Sequence, residues 1–502
     1  MTKEEILKKA EYYSTFDRSC SYILQVFNYD RATIAPKGGA MEGNEALSFV
    51  SNEVYKVYKS DDYKEFVVEA YNKRDEFSEP YKRLFELKYK SLKESENLDS
   101  ETNYKLQLIF SNGNTIWEEA KEKNDYSIFK DALKNIIEAL KLIVDLKPTK
   151  FKNPYDSLLD QYEEGLNVDI LDNFFNKLKE RIVPLLQKIM KSKKKIRTDF
   201  LSRVVSKDIQ QKISYELLKF NDFDLNSGVL SESEHPFTCF PSHHDVIVTT
   251  HYYEDSFASN IYSVIHEGGH AIFAQNEPDL FYEIGLAGSM SMGEHETISR
   301  FYENIIGRSK EYTDHIYDII NSIYPELLSD VSKTEFFEAV NVSTPSLIRT
   351  ESDELTYSLH IMIRYELEKA LINNEITVDN VKDEWNRLYK EYLGVDVTSD
   401  REGILQDMHW SDGTIGYFPT YALGNAYGAQ ILNTMRKDID LEKTLKNGDL
   451  KIIKEWLKEH VFKYASLLKP REWLLKITGE ELNPDYFLDY LENKYSKLYD
   501  LK

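Results

Sequence analysis

Helix breakers are scarce in this chain. Only 20 glycines and 13 prolines are spread over 502 residues, against average usage of roughly 7% and 5%. So few breakers over such a length predict long helices and a mostly-α fold. The hydrophobic pattern agrees. In YKEFVVEAYNKRDEF, Phe66, Val67, Ala70 and Tyr71 recur at helical spacing. Residues 1 to about 150 read as successive amphipathic helices, broken at Pro36–Gly39 and again between Pro148 and Pro154. A helical pattern resumes from Asp169 to Ser192, and the basic run KSKKKIR after it reads as a solvated surface. His244–Tyr252 is rich in β-branched residues and is the best strand candidate. Helices return from Asp255 to the end, interrupted by a loop-like stretch at 409–421.

Length alone permits two to four domains. No repeat or low-complexity linker divides the chain, so a single helical domain over 1–502 is expected, with 1–150 as a helical cap and 151–502 as the catalytic body. The net charge of −23 repels phosphate backbones and argues against nucleic acid as a partner. Two cysteines, Cys20 and Cys239, exclude a disulfide framework and point to a reducing compartment. The N-terminus MTKEEILKKAEYYS has no apolar signal-peptide core. No apolar run approaches the ~20 residues of a membrane span. A cytoplasmic protein without a membrane partner is expected.

His266-Glu267-Gly268-Gly269-His270 is an H-E-x-x-H sequence. Phe257, Ile261, Val264, Ile265 and Ile272 make an apolar stripe around it, Asp255 can cap the helix, and Asn276 and Pro278 can end it. Histidines four apart on a helix project from one face. Two such imidazoles can bind one Zn²⁺ at about 2.0–2.1 Å. Glu267 then falls beside the metal as a general base for water. Adjacent glycines inside a helix cost roughly 1 kcal/mol each against alanine. Their presence suggests close approach by another backbone or by substrate. Catalytic zinc needs a third protein ligand. Glu294 and Glu296 both stand at the start of a following helix that Gly307 can terminate. Glu296, 30 residues after His266, suits a zinc peptidase with a glutamate third ligand. Glu303 can orient a ligand from behind or lie in solvent.

From these motifs onward the chain resembles the carboxypeptidase Taq family of metallocarboxypeptidases over nearly its whole length. The family's H-P-F stands as His235-Pro236-Phe237, and its H-E-S/G-Q as His295-Glu296-Thr297-Ile298, which favours Glu296 over Glu294 as ligand. Its I/V-R-x-x-A-D stands as Ile348 to Asp353, and its G-x-x-Q-D-x-H-W as Gly403 to Trp410. Residues 153–165 and 416–430 are also similar to the family. The resemblance implies long helices around a deep substrate groove with a small β-sheet beside the zinc helix. It also implies a homodimer, and removal of C-terminal residues from peptides with broad specificity. Three positions depart: Ile247 replaces the arginine of D-x-R-x-T, Ile298 replaces a glutamine, and Ser352 replaces an alanine.

An exopeptidase must hold a free carboxylate, and a guanidinium does so with two parallel hydrogen bonds. By sequence alone Arg349 pairs with Glu351 or Asp353 as a structural bridge; the resemblance instead makes it the carboxylate receptor. His409 with Tyr421, or with Tyr417, can donate to a developing oxyanion. His235 can line the groove, and Gln406 is taken as a further substrate contact. Zn²⁺ and Co²⁺ would both accept the His266, His270, Glu296 set. The runner-up reading is a zinc oligopeptidase cutting internal bonds of short peptides. A third is a peptide-binding protein with a defunct site. Without the arginine at Ile247, longer peptides are expected to be favoured.

Overall fold

A computed structural model describes residues 1–501. The N-terminal region is helical throughout: α1 (Lys3–Thr33), α2 (Ala40–Lys59), α3 (Asp61–Asn72), α4 (Glu79–Glu94), α5 (Ser100–Lys123) and α6 (Tyr126–Leu146). Local chemistry starts these helices. Thr2 and Glu5 close a capping box on α1, and Ser60, Asp99 and Asp125 cap α3, α5 and α6 with their side chains. The expected breaks at 36–39 and 148–154 fall between helices. Next come the short α7 (Asp156–Tyr162), then α8 (Val168–Met190) and α9 (Lys207–Phe220).

The basic run after α8 is irregular but not simply solvated. Lys191, Lys193 and Lys195 are exposed, whereas Lys194 is half-buried and reaches Glu338 at 2.8 Å. Its alternating residues face the protein and the solvent by turns, because the segment is extended rather than helical.

Three strands follow: β1 (Gly228–Glu232), β2 (Thr238–Ser242) and β3 (Asp245–Thr250). β3 is the strand expected from sequence. It lies in the middle, parallel to β1 and antiparallel to β2, with an irregularity between Cys239 and Ser242. Val246 to Thr250 are all buried, as a central strand covered on both faces requires. The flanking strands GVLSE and TCFPS carry no such run, and Pro241 is tolerated because β2 is an edge.

α10 (Phe257–Asn276) packs on the sheet and on α9. It begins at Phe257 after Ser256, so Asp255 lies outside it and does not cap it. Beyond it run α11 (Asp279–Ile284), α12 (Met292–Arg300), α13 (Lys310–Ile323), α14 (Lys333–Val340), α15 (Glu354–Ile372), α16 (Val381–Leu393) and α17 (Phe418–Asp438), and helices continue to Leu498. The expected loop at 409–421 belongs to a longer irregular stretch after Leu393. It ends earlier than expected, because Pro419 in the first turn lets α17 start at Phe418.

Two buried apolar clusters form. The larger takes in α5 to α10 and the C-terminal helices, including Leu133, Phe174, Ile265, Phe301 and Trp385. The smaller unites Ile6, Tyr13, Phe66 and Phe85 with Phe281 and Ile284 of α11. α1 bridges them. Its first half sits in the smaller cluster, and farther along it Tyr22 bonds Asp245 at 2.6 Å and Tyr29 bonds Ser231 at 2.8 Å. Among the described residues no helix is long and apolar enough to cross a membrane.

Candidate metal centre

α10 is apolar nearly all round and lies inside the molecule. His266 and His270 share one face of it, and their rings stand 5.1 Å apart. Gly269 occupies the point where α12 crosses. A Cβ there would fall 2.9 Å from Ser299 Cα and 3.0 Å from the Ile298 carbonyl oxygen. The glycine therefore admits a second backbone, which brings Glu296 over the histidines. Glu296 Oε2 is 3.8 Å from Nε2 of both His266 and His270. Glu294 is turned away, because its carboxylate accepts from Ser291 N in the capping box of α12.

The ligand atoms of His266, His270 and Glu296 all lie within 4.8 Å of one another. Ligands about 2.0–2.2 Å from a tetrahedral zinc sit about 3.3–3.6 Å apart. The 3.8 Å separations need only a small contraction. Two imidazoles and a carboxylate are also the donor chemistry zinc takes. These residues fit a divalent metal, and no other group of three such donors gathers among the described residues.

The shell behind the triad is charged and buried. After Arg300, α12 widens into a π turn, Phe301–Ile306, and Gly307 beyond it keeps right-handed backbone. Glu303 in that turn meets His266 Nδ1 at 2.8 Å, which leaves Nε2 facing Glu296. Burial works against a charge on Glu303, yet Arg300, His266 and Arg308 hold its carboxyl down at about 2. Arg300 also donates to Glu296 Oε1 at 2.7 Å. Burial works against a charge on His266 too, but Glu296 and Glu303 raise its pKa. Burial and the neighbouring His266 push His270 down, into the neutral form that ligates metal. Glu267 points elsewhere. Burial raises its carboxyl, and Thr238 of β2 donates to its Oε2 at 2.7 Å.

Arg349 opens a short 3₁₀ turn, Arg349–Glu351. The structural bridge expected with Glu351 or Asp353 is absent. Asp353 instead caps α15, and Arg349 pairs with Asp407, from Nε and Nη2 at 2.9 Å each. Arg364 grips the other oxygen of Asp407, with Nε at 2.6 Å. Arg349 Nη1 reaches the Tyr357 hydroxyl at 3.2 Å, and its guanidinium lies 5.2 Å from the Tyr421 ring centre.

His409 Nε2 is 3.3 Å from the Tyr421 hydroxyl, and its buried Nδ1 has no partner among the described residues. Burial drives the His409 pKa to about 4, so its ring is neutral. Tyr417 packs edge-on against Tyr421 at 5.1 Å, and burial pushes its hydroxyl up to about 12. Gln406 has its amide engaged within the protein: Oε1 accepts from Arg349 N, and Nε2 donates to the Leu347 and Glu402 carbonyls. His235 is exposed, beside a Ser233 hydroxyl that donates to its carbonyl. Ile247 is buried in the central strand, where a guanidinium would have no water.

Sequence reasoning assigned nothing to Thr238, Arg300, Tyr357, Arg364 or Asp407. Asp407 stood inside a quoted motif. Arg300 finds Glu296 and Glu303 within a turn of itself, a spacing that any exposed helical ion pair shares, whereas Thr238, Tyr357 and Arg364 meet their partners only once separate segments pack together. Glu368 belongs with them: its carboxylate accepts from Tyr155, Trp410 and Gly416 N, at 2.7, 2.8 and 2.9 Å, and so ties the loop down at Trp410, next to His409, and at Gly416, just before α17.

A family model described as carboxypeptidase Taq (M32) metallopeptidase matches residues 10–495. Carboxypeptidase 1 of Bacillus subtilis is 40% identical over 497 residues, 99% of this chain and 97% of that one. Thermostable carboxypeptidase 1 of Pyrococcus furiosus is 33% identical over 478 residues, 94% of each chain. Among solved structures, an M32 carboxypeptidase from Deinococcus radiodurans R1 superposes with a TM-score of 0.95 at 27% identity, covering 99% of this chain and 100% of that one.

Proposed function

The chain belongs to the carboxypeptidase Taq (M32) metallopeptidase family and is a metallocarboxypeptidase, and from that premise we propose that it cleaves the C-terminal bond of peptides with broad specificity, using Glu267 as the base. One observation carries this reading. A single aromatic ring links the candidate metal triad to the candidate carboxylate receptor: the Tyr357 hydroxyl accepts from Arg349, while its ring lies under Arg300, 4.4 Å away, and Arg300 in turn binds Glu296. A terminal carboxylate on Arg349 would therefore leave the preceding peptide bond near the triad.

Zn²⁺ held by His266, His270 and Glu296 would supply a Lewis acid and a water acidic enough to attack near neutral pH, and Co²⁺ would suit the same ligands. Glu267 takes the proton from the attacking water and passes it to the leaving amine. Burial favours that exchange by raising its carboxyl toward the working pH. Arg349 receives the substrate carboxylate with the guanidinium edge that Asp407 does not fill. Tyr421 and His409 stand together where one can donate to the developing oxyanion, and Tyr417 shapes the same wall. Gln406 serves by holding the Arg349 backbone rather than by touching substrate. His235 contacts the more distant part of the peptide.

The composition supports a cytoplasmic location, and the family resemblance supports a homodimer, which sedimentation would test. The activity itself is tested with one peptide carrying a free or an amidated C-terminus, each with and without chelator. Metal-dependent cleavage of the free acid alone is the expected result. Equal cleavage of both would favour the oligopeptidase.

A further inference from the structure

We propose that Thr238 is a positioning residue that aims the Glu267 carboxylate through its hydroxyl group; this rests on the reading of Glu267 as the general base. Thr238 opens β2 and pairs with Val248 of β3, which sets its side chain against α10. Its Oγ1 lies 2.7 Å from Glu267 Oε2 and 2.9 Å from the Glu267 carbonyl oxygen. A hydroxyl has one hydrogen, so these acceptors compete, and the ionised carboxylate is the stronger. Among the described residues nothing else hydrogen-bonds the Glu267 side chain. One bond thus selects the rotamer, engages Oε2 and leaves Oε1 free to take a proton.

The hydroxyl is itself held in place. Thr249 is fully buried in the central strand; its Oγ1 accepts from Phe237 N at 2.8 Å, and its own N donates to Phe237 O at 2.9 Å. Ser233 contacts Thr249 Oγ1 at 2.7 Å and the His235 carbonyl at 2.7 Å. This clamp fixes the segment 235–237 immediately before Thr238. It also assigns physical work to two stretches, 235–237 and 245–249, whose arginine is lost to Ile247. The chain of contacts runs from β3 through the Phe237 backbone to the Thr238 hydroxyl and then to the base.

The test separates the hydroxyl from the shape of the side chain. With an N-blocked dipeptide bearing a free carboxylate, Thr238→Val should lower kcat at least tenfold, with KM changed by no more than about twofold, a charge-assisted hydrogen bond being the interaction removed. Metal content and thermal midpoint should stay at the parent values, and Thr238→Ala should match Thr238→Val in kcat if the valine variant folds poorly. Thr238→Ser, which returns the hydroxyl without the methyl group, should recover most of kcat. In a Glu267→Gln background, Thr238→Val should lower the residual rate no further. Unchanged kcat in Thr238→Val, failure of serine to recover it, or an additive loss in the double variant overturns the proposal. Near-parental kcat in Glu267→Gln alone would instead remove the base reading, and the positioning role with it.

Discussion

The backbone of Gly424 lies directly behind the side chain of Glu296: a Cβ at Gly424 would fall 2.9 Å from both Cβ and Cγ of Glu296. α17 and α12 thereby press the proposed third ligand toward the two histidines. Gly424→Ala should cost about 1–3 kcal/mol through overpacking and weaken metal binding by moving Glu296. Gly428→Ala, one turn on, meets Ile305 at an ordinary 3.5 Å. It should hold metal normally and gain up to about 1 kcal/mol in helix propensity. Equal metal affinity in the two variants, by chelator competition, would remove this role for Gly424.

Glu303 should tune metal affinity without ligating. Removing a partner of this kind costs roughly 10–100-fold in affinity. Glu303→Ala should fall in that range and Glu303→Gln less far, since the amide oxygen can still accept from His266 Nδ1. An unaltered affinity in Glu303→Ala would assign the orientation of His266 to packing alone.

Metal removal should abolish hydrolysis and leave the helices standing. The three candidate ligands sit on helices whose apolar faces are already buried in the larger cluster, unlike small domains whose folding energy is metal binding. His270→Ala should likewise stay helical and lose stoichiometric metal. Circular dichroism beside metal analysis decides it; cooperative loss of helicity on chelation would contradict the expectation.

Glu267→Gln should keep its metal while kcat falls by more than the ~10²–10⁴-fold usual for a single acid–base group, because the same carboxyl both takes and returns the proton. Single-turnover kinetics on metal-loaded protein provide the measurement.

Arg349→Ala should cost roughly 2–5 kcal/mol in kcat/KM for free-acid peptides, with little further loss for amidated ones. Arg349→Lys keeps the charge but not the fork, and should recover only part. Asp407 gives the pair a pH signature. Burial raises its carboxyl, but Arg364 and Arg349 outweigh that and hold it below the usual carboxylate range. A group depressed on folding contributes stability above its unfolded pKa, about 3.9, and loses it as pH falls through the lower folded value. Asp407→Asn should therefore be less stable near neutrality and show a flatter decline below about pH 4. Parallel acid-unfolding curves for the two proteins would show that the pair is not what titrates.

Much of this centre was legible in local sequence. His266, Glu267 and His270 share one helical turn, and that spacing alone puts both imidazoles on one face. The glycine pair foretold a close backbone approach, which proved to be Ser299 against Gly269. β3 was legible because its run of β-branched residues, Val246 to Thr250, suits a buried central strand. β1 and β2 were not, since each is half-exposed and defined by pairing with β3.

The sequence by itself determined what depends on bonds and contacts within a few residues: the helices and the two histidines four apart. Only the tertiary structure decided that α12 crosses α10 at Gly269 and so carries Glu296 over them, that Arg349 pairs with Asp407 fifty-eight residues on rather than with its near neighbours, and that Thr238 reaches Glu267. The physical reason is range. Backbone geometry fixes a neighbour at i+4 wherever the helix lies, whereas the partner of a buried charge is chosen by whichever remote segment packing brings within about 3 Å of it.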